Sequence, residues 1–399
     1  MSETPWLTIV GLGEDGPDGL SPASHAALQN AEIVMGAARH LDLLPDLSAE
    51  TVTWPVPFSD GIPKLLSLRG RRVVVLASGD PFWFGAGAVI ARHLNPSEWR
   101  TLPAPSTFSR AAATLGWALE KTPCFGLHAA PFARLRPHLF TGQKLLTTLR
   151  DGAAVAELAQ WLRDAGFGDT TLHVLEALGG PRERVRSALA STYDLINVLH
   201  PVCLGLEVAG TGATVSLASG RSDTLFDNDG QITKRPVRAL TLSALAPCPG
   251  EHLWDIGGGS GSIGIEWLLA HPTCAATTVE INPERAARIT QNAAHLGVDR
   301  LQVVTGSAPE ALADLPAPDA VFIGGGISDE MLETVWAAMP KGARLVANAV
   351  TLEAEALLAQ WHEAKGGDML RVELAQSQPL GRKRGWKSSY PIVQWSVVK

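Results

Sequence analysis

Cysteine is scarce in this sequence, and the few residues present are too dispersed to act together. Cys124, Cys203, Cys248 and Cys274 form no C-x-x-C pair and have no histidine at a ligand interval. This spacing argues against a metal site. It predicts buried thiols in a reducing cytoplasm, and no metal is expected. No apolar run approaches the roughly 18 residues that a membrane-crossing helix needs, so no membrane partner is expected either. The opening M-S-E-T-P-W-L-T-I-V-G lacks a basic segment followed by an apolar run and a small-residue cleavage site. It reads as the approach to a strand, and secretion is not expected. Positive charge is also short: 33 Lys and Arg face 40 Asp and Glu, a formal net charge of −7. General nucleic-acid binding needs a broad basic surface to neutralise phosphates, so that partner class is not expected. One local basic cluster, G-R-K-R-G-W-K, stands near the end.

Apolar residues and glycine are plentiful. With 399 residues, 46% hydrophobic and 18% charged, the composition is that of a globular chain long enough for two domains of roughly 150–200 residues. In the first half, strand-like runs (L-T-I-V, R-V-V-V-L-A) alternate with alanine-rich helical stretches such as S-P-A-S-H-A-A-L-Q-N-A and S-T-F-S-R-A-A-A-T-L-G-W-A-L, the pattern of an α/β domain. Around residues 210–235 the pattern lapses into polar turn formers, and a linker is expected there. A cleaner series follows: helix R-P-V-R-A-L-T-L-S-A-L, strand E-H-L-W-D-I, a glycine loop, then strands A-A-T-T-V-E-I, D-R-L-Q-V-V-T-G, D-A-V-F-I-G and A-R-L-V-A-N-A-V with helices between, and a β-rich end. This predicts a doubly wound parallel sheet, whose ligands sit at the carboxyl ends of the strands. No short-period repeat is present.

The loop W-D-I-G-G-G-S-G-S-I-G-I-E-W has two readings. Gly259, Gly261 and Gly264 satisfy G-x-G-x-x-G, and Glu280 falls about 20 residues on, where a dinucleotide site places its ribose acid. Alternatively, Asp255 ends the first strand, and Gly257, Gly258, Gly259 and Gly261 let the backbone turn tightly against a ligand. A carboxylate at the strand tip repels a pyrophosphate but suits the cationic amino-acid end of S-adenosylmethionine. Glu280 accepts ribose hydroxyls in either case. The downstream E-I-N-P-E-R-A-A and T-G-S-A-P-E-A-L resemble successive motifs of class I methyltransferases, in which Ala308 falls where the adenine pocket is lined.

A second glycine turn, V-G-L-G-E-D-G, closes the first strand and alone decides little. Further on, V-V-V-L-A-S-G-D-P-F-W-F-G-A-G is a buried strand followed by a turn in which Gly79 and Pro81 bracket Asp80. P-A-P-S-T-F-S-R-A-A-A opens a helix with Ser106 and Thr107 as expected caps.

With these motifs in view, residues 1–210 resemble a tetrapyrrole (class III, CbiE-like) methylase domain, marked by the opening G-x-G, the G-D-P turn and the small-residue P-x-S-S-like turn. Residues 231–399 resemble a class I methyltransferase of CbiT-like type, and residues 211–230 form the expected linker. The pair in this order resembles the decarboxylating precorrin-6Y methyltransferase family (CobL type) over nearly the full length. M-G-A-A-R-H-L, L-A-S-G-D-P-F-W-F-G, F-I-G-G-G and V-A-N-A-V-T-L-E add to the likeness.

The resemblance implies an enzyme of cobalamin biosynthesis that methylates a precorrin-6 macrocycle at ring carbons 5 and 15 and decarboxylates an acetate side chain to give precorrin-8. The N-terminal domain would act at carbon 5, the C-terminal domain at carbon 15 with decarboxylation. It implies two S-adenosylmethionine sites, one with Thr233, Asp255, Gly257, Gly258, Gly259, Gly261, Glu280 and Ala308, the other with Gly11, Gly13, Gly79, Asp80, Pro81, Ser106 and Thr107. Thr233 has a second reading as a helix N-cap. A carboxylate-rich substrate calls for basic groups, for which Arg382, Lys383, Arg384 and Lys387 are candidates, with a solvated loop as the other reading. Phe82, Trp83 and Phe84 read as core packing, or as an apolar wall for the macrocycle. The histidines read as structural or surface residues, and no general acid or base is identified. By resemblance the chain forms a homo-oligomer in the cytoplasm. The competing functions are a class I RNA or protein methyltransferase with an accessory domain, and an NAD-dependent oxidoreductase.

Overall fold

A computed structural model describes residues 5–399. Met1 to Thr4, part of the stretch read above as a strand approach, lie outside the described residues. The chain divides into two compact α/β units, one of residues up to Ala130 with Leu139–Ala213, the other of Pro131–His138 with Thr214–Lys399. Among the described residues no helix is long and apolar enough to cross a membrane.

The first unit holds two sheets. Strands β1 (Leu7–Leu12), β2 (Ile33–Gly36), β3 (Glu50–Thr53), β4 (Val73–Ser78) and β5 (Trp99–Leu102) form an all-parallel sheet in the order β3-β2-β4-β1-β5. The continuous apolar runs of β1 and β4 arise because both strands are central and covered on both faces. Their carboxyl ends lie side by side, Leu12 opposite Ser78. The second sheet comprises β6 (Cys124–Gly126), β7 (Lys144–Thr148), β8 (Thr171–Glu176), β9 (Arg184–Leu189) and β10 (Val202–Glu207), in the order β6-β7-β10-β8-β9. Only its β6–β7 pair is parallel. The helix expected from Ser106 through Leu119 stops at Leu115, because Gly116 turns left-handed at φ +66° and closes it.

The second unit is the expected doubly wound sheet with an antiparallel insertion. Strands β11 (His252–Ile256), β12 (Ala275–Glu280), β13 (Gln302–Thr305), β14 (Ala320–Ile323) and β15 (Arg344–Ala349) are parallel. Strand β16 (Asp368–Val372) forms the edge, and β19 (Ile392–Val398) lies antiparallel between β15 and β16. Between β16 and β19 runs a separate hairpin of β17 (Ala375–Leu380) and β18 (Lys383–Ser388).

The stretch read as a linker is packed structure from Thr214 onward. Val215 and Phe226 are buried in the core of the second unit, and Arg221 is buried against Glu266. Turn-forming residues dominate its composition, but Val215, Phe226 and Arg221 find buried partners. Glu266, on the helix Ser262–Ala270, accepts from the backbone N–H of Gly220 (2.8 Å) and Arg221 (2.9 Å), from Arg221 Nη1 (3.2 Å) and from Arg238 Nε (2.7 Å). Removing one charge from a fully buried, multiply bonded set leaves the remainder uncompensated and costs about 3–5 kcal/mol. Glu266→Gln is therefore expected to lower the stability of the second unit by about that amount, read as an earlier transition in denaturant unfolding. An unchanged transition would contradict this role for Glu266.

Candidate functional site

In the second unit the glycine loop joins β11 to the helix Ser262–Ala270 at the carboxyl edge of the sheet. Gly257, Gly259 and Gly261 all have left-handed backbone angles. At Gly258 a Cβ would lie 2.2 Å from Thr278 Cγ2, so no side chain fits between loop and strand. Glu280, 4% exposed at the end of β12, holds the turn: its Oε2 accepts from Gly259 N–H at 2.8 Å and its Oε1 from Asn282 N–H at 3.0 Å. Gly306 N–H donates to the Glu280 carbonyl (3.1 Å), which ties the Gly306–Ala308 turn after β13 to the same edge. Residues 227–231 lie over the loop. Asn292 Nδ2 donates to the carbonyls of Asp227 (2.9 Å) and Ser260 (3.0 Å), Arg285 donates to Asp229 (2.8 Å), and the Gln231 carbonyl is 2.9 Å from where a Gly259 Cβ would stand. The Arg285 hydrogen bond, with the Gln231 N–H and Arg288, pulls the Asp229 carboxyl down to about 2.

Two expectations change here. Thr233 is not the cap of the following helix, Arg235–Leu245: the cap position is Lys234, with no side-chain bond, and Thr233 instead accepts from Arg238 through its carbonyl. Asp255 is 1% exposed, and its Oδ2 accepts from Gly264 N–H (3.0 Å) and Thr278 Oγ1 (3.2 Å). Burial raises its carboxyl to about 7. At neutral pH it is only partly ionised, which weakens the charge argument that set a cationic donor against a pyrophosphate.

In the first unit the three expected motifs meet. A Cβ on Gly11 would lie 2.0 Å from the Gly79 carbonyl and 2.5 Å from Ala104 N. Gly79 N–H donates to the Leu12 carbonyl (2.9 Å), and Ala104 N–H to the Gly79 carbonyl (3.2 Å). Asp80 Oδ1 accepts from Phe82 N–H at 2.8 Å, shaping the turn, while Pro81 is buried and its carbonyl accepts from Gly87 N–H. Ser106 caps the helix Thr107–Leu115 by accepting from Ser109 N–H at 3.0 Å; Thr107 is the first helical residue and not a cap.

Around these motifs lie two adjoining cavities that share Ser78 and Thr107. The smaller, about 50 Å³, is lined by Gly13, Gly79 and Arg110 among others. The larger, about 610 Å³, is lined by Asp80, Ser106 and Thr107, and by residues that sequence reasoning did not single out for it, including His40, Ser78, Trp54 and Phe58. The only sequence signal for His40 was its place in M-G-A-A-R-H-L. Trp83 and Phe84 also line this cavity, and with Phe82 they are 40–56% exposed, so the core-packing reading of the three is corrected. They still pack on one another's neighbours, Phe82 stacking on Trp99 and Trp83 and Phe84 meeting Phe108. The thiol expectation holds for Cys203 and Cys274, but Cys248 is exposed and Cys124 half-buried, and all four are free.

Arg382, at the hairpin turn, and Lys383, Arg384 and Lys387 on β18 are exposed. Val372 pairs with Ile392, and Val393 with Ala349 at the end of β15. The hairpin thus leaves the sheet at the edge where the parallel strands end and the glycine loop begins.

Residues 6–193 match the family described as tetrapyrrole (corrin/porphyrin) methylases, and residues 224–399 the family described as the precorrin methyltransferase domain. A precorrin-6Y C(5,15)-methyltransferase [decarboxylating] of Sinorhizobium sp is 50% identical over 99% of this chain and 97% of its own length. A protein of the same name from Mycobacterium tuberculosis (strain ATCC 25618 / H37Rv) is 38% identical over 98% of this chain and 100% of its own. A cobalt-precorrin-6B C(15)-methyltransferase (decarboxylating) of Salmonella typhimurium is 30% identical over 40% of this chain and 85% of its own length. The chain belongs to the precorrin-6Y C(5,15)-methyltransferase (decarboxylating) family.

The raised Asp255 carboxyl carries a stability consequence. A carboxyl that is easier to protonate folded than unfolded contributes stability that is present below its unfolded value and lost as pH rises through about 7. Asp255→Asn keeps an oxygen for Gly264 and Thr278 but cannot ionise. Relative to the parent, it is expected to gain stability as pH rises from about 5 to about 8, measured by denaturant unfolding. A difference independent of pH would contradict the buried, protonatable carboxyl.

Proposed function

We propose that this chain uses S-adenosylmethionine at two sites to methylate a precorrin-6 macrocycle at ring carbons 5 and 15, with loss of carbon dioxide from an acetate side chain, giving precorrin-8 in cobalamin biosynthesis. The observation that carries the reading is the 50% identity to a protein of that printed activity over essentially the whole of both chains. The division of labour proposed is carbon 5 for residues 1–210, and carbon 15 with decarboxylation for residues 231–399. It is supported by the separate family matches and by a relative that is named for the C(15) step and corresponds to 40% of this chain.

The residues present fit a donor at each site. In the second unit Ser260 Oγ is buried in the glycine loop without a hydrogen-bond partner among the described residues. Glu280, already holding the loop through one bond per oxygen, has further lone pairs for ribose hydroxyls. In the first unit the larger cavity falls within the size range of about 300–1,000 Å³ for small-molecule pockets. When bound, S-adenosylmethionine supplies an electrophilic methyl on a sulfonium centre. The nucleophile is an electron-rich ring carbon, so the protein's part is alignment and exclusion of water. Glu280 and the loop backbone fix the second site, with residues 227–231 covering it; the joined turns at Gly11, Gly79 and Ala104 fix the first. We further propose that Arg382, Lys383, Arg384 and Lys387 meet the substrate's carboxylates, supported by their place on the hairpin at the ligand edge, and that the chain works as a cytoplasmic homo-oligomer without a nucleic-acid or membrane partner.

Calorimetry with S-adenosylhomocysteine is expected to give two sites per chain, one lost in Glu280→Ala and the other in Gly79→Val. A single site in the parent chain would sink the bifunctional reading. Replacing Arg382, Lys383, Arg384 and Lys387 together by Ala is expected to raise the KM for the tetrapyrrole, by less as salt increases. S-adenosylhomocysteine binding should stay as in the parent; a KM unmoved at low salt would remove these residues from the substrate site.

A further inference from the structure

The two acids of V-G-L-G-E-D-G have no part in the donor sites just described, yet both are engaged. Glu14 is 7% exposed, and its oxygens go to two arginines: Oε1 accepts from Arg39 Nη1, and Oε2 from Arg182 Nη2 at 3.0 Å. Arg39 lies on the short helix Ala38–Asp42 after β2, and its Nη2 also donates to Ser78 Oγ (3.0 Å) at the end of β4. Arg182 comes from the turn between β8 and β9. Asp15 Oδ2 accepts from Arg110 Nη2 at 2.5 Å, while Oδ1 is buried with no hydrogen-bond partner among the described residues. Arg110 stands on the helix Thr107–Leu115, one turn beyond its cap Ser106. With these oxygens either bonded to arginine or covered, neither acid is placed to receive the ammonium of a methyl donor.

These bonds join parts that stand far apart in the sequence. Through Arg39 and Ser78, Glu14 reaches the motif after β4; through Arg182 it reaches the second sheet of the same unit. Asp15 reaches the helix that follows P-A-P-S-T through Arg110. The neighbouring glycines show how closely the parts meet. A Cβ on Gly179 would lie 2.1 Å from Arg110 Nη1, and one on Gly180 would lie 2.5 Å from the Glu14 carbonyl oxygen. The Asp15 carboxylate folds back between Gly13 and Gly19, where a Cβ on either would stand 2.3 Å from Oδ1. Gly13 is not among the residues with positive φ, so its lack of a side chain answers to the acid two residues on and not to backbone torsion. A side chain there would push Asp15 off Arg110 and leave a part-buried charge without its partner.

We propose that Glu14 and Asp15 are positioning residues of the first unit: by ion pairs with Arg39, Arg182 and Arg110 they hold the G-L-G turn against the other two donor motifs, and so set donor affinity without touching the donor. This rests on the reading of residues 1–210 as a methyl-donor site. Gly13 then lacks a side chain to make room for Asp15, whereas a glycine kept for close approach of a ligand would be needed whatever stands at position 15. A double variant separates the two.

The experiment titrates S-adenosylhomocysteine calorimetrically into the full chain carrying Glu280→Ala, so that the heat comes from the first site, and follows denaturant unfolding of the same variants. Added Asp15→Ala is expected to weaken that site about tenfold, within the range of coupling between contacting residues. Gly13→Ala should weaken it to a similar degree, and the two together no further than either alone. Arg110→Ala should match Asp15→Ala, with part of the loss recovered in Arg110→Lys. Arg182→Ala, at a side chain 53% exposed, should weaken the site by a smaller factor, because Glu14 keeps Arg39. First-site affinity at the parent value in Asp15→Ala and Arg110→Ala, even with an earlier unfolding transition, would reduce the pair to a structural role and overturn the assignment. Losses for Gly13→Ala and Asp15→Ala that multiply in the double variant would also overturn it, and an Arg182→Ala variant that binds as the parent would remove Glu14 from it. If the Glu280→Ala chain binds no S-adenosylhomocysteine at all, it is the reading of the first unit as a donor site that fails, and this assignment with it.

Discussion

At the carboxyl end of the first strand of each unit, the backbone passes where no side chain can stand. A Cβ on Gly11 would be 2.0 Å from the Gly79 carbonyl, and one on Gly258 would be 2.2 Å from Thr278 Cγ2. Such separations lie far inside van der Waals contact, so the choice of glycine is dictated by the neighbouring chain and not by loop flexibility. Everything placed at the two ligand edges depends on this. In the first unit it lets the turns after β1 and β4 and the segment before the helix Thr107–Leu115 share hydrogen bonds. In the second it lets the loop sit against β12, where Glu280 can reach Gly259.

Buried acids then hold these close approaches. Glu280 binds two backbone N–H groups of its edge, Asp255 binds Gly264 N–H from behind the loop, and Glu266 fastens Gly220 and Arg221. A carboxylate is suited to this because it accepts several hydrogen bonds at once and needs no donor of its own. The cost is desolvation, met for Glu266 by two arginines and left largely unmet for Asp255, whose carboxyl accordingly moves up to about 7. The covering segment 227–231 follows the same logic with less buried partners, Asp227 and Asp229 against Arg285 and Arg288. The polar composition of that region marks ionic packing as much as it marks turns.

The second unit was the more legible from sequence. Its strands and helices alternate in the order expected, and the helix Arg235–Leu245 occupies the run that reads as helical, R-P-V-R-A-L-T-L-S-A-L. Local periodicity carried no information on the antiparallel placement of β19, which depends on partners far along the chain. The mixed sheet β6–β10 was not legible for the same reason. Motif reading located the glycine turns, because the requirement for glycine is local and steric. It misjudged the capping roles of Thr233 and Thr107 and the packing of Phe82–Phe84, because capping and exposure depend on where the next element begins. His40 was missed at the cavity because the residues that line it come from several separate elements, which no spacing in the sequence encodes.

The two donor sites proposed above, of different architecture, would account for a chain with no obvious acid–base constellation. The ring carbon and the sulfonium bring the reactivity, and the protein brings position and dryness. The most direct measurement is the mass of the product formed by the intact chain from reduced precorrin-6Y and S-adenosylmethionine. The account predicts a product with two added methyl groups and one carbon dioxide lost, and Glu280→Ala giving a single methyl with the carbon dioxide retained. A parent chain that adds only one methyl, or a Glu280→Ala variant that still decarboxylates fully, would contradict it.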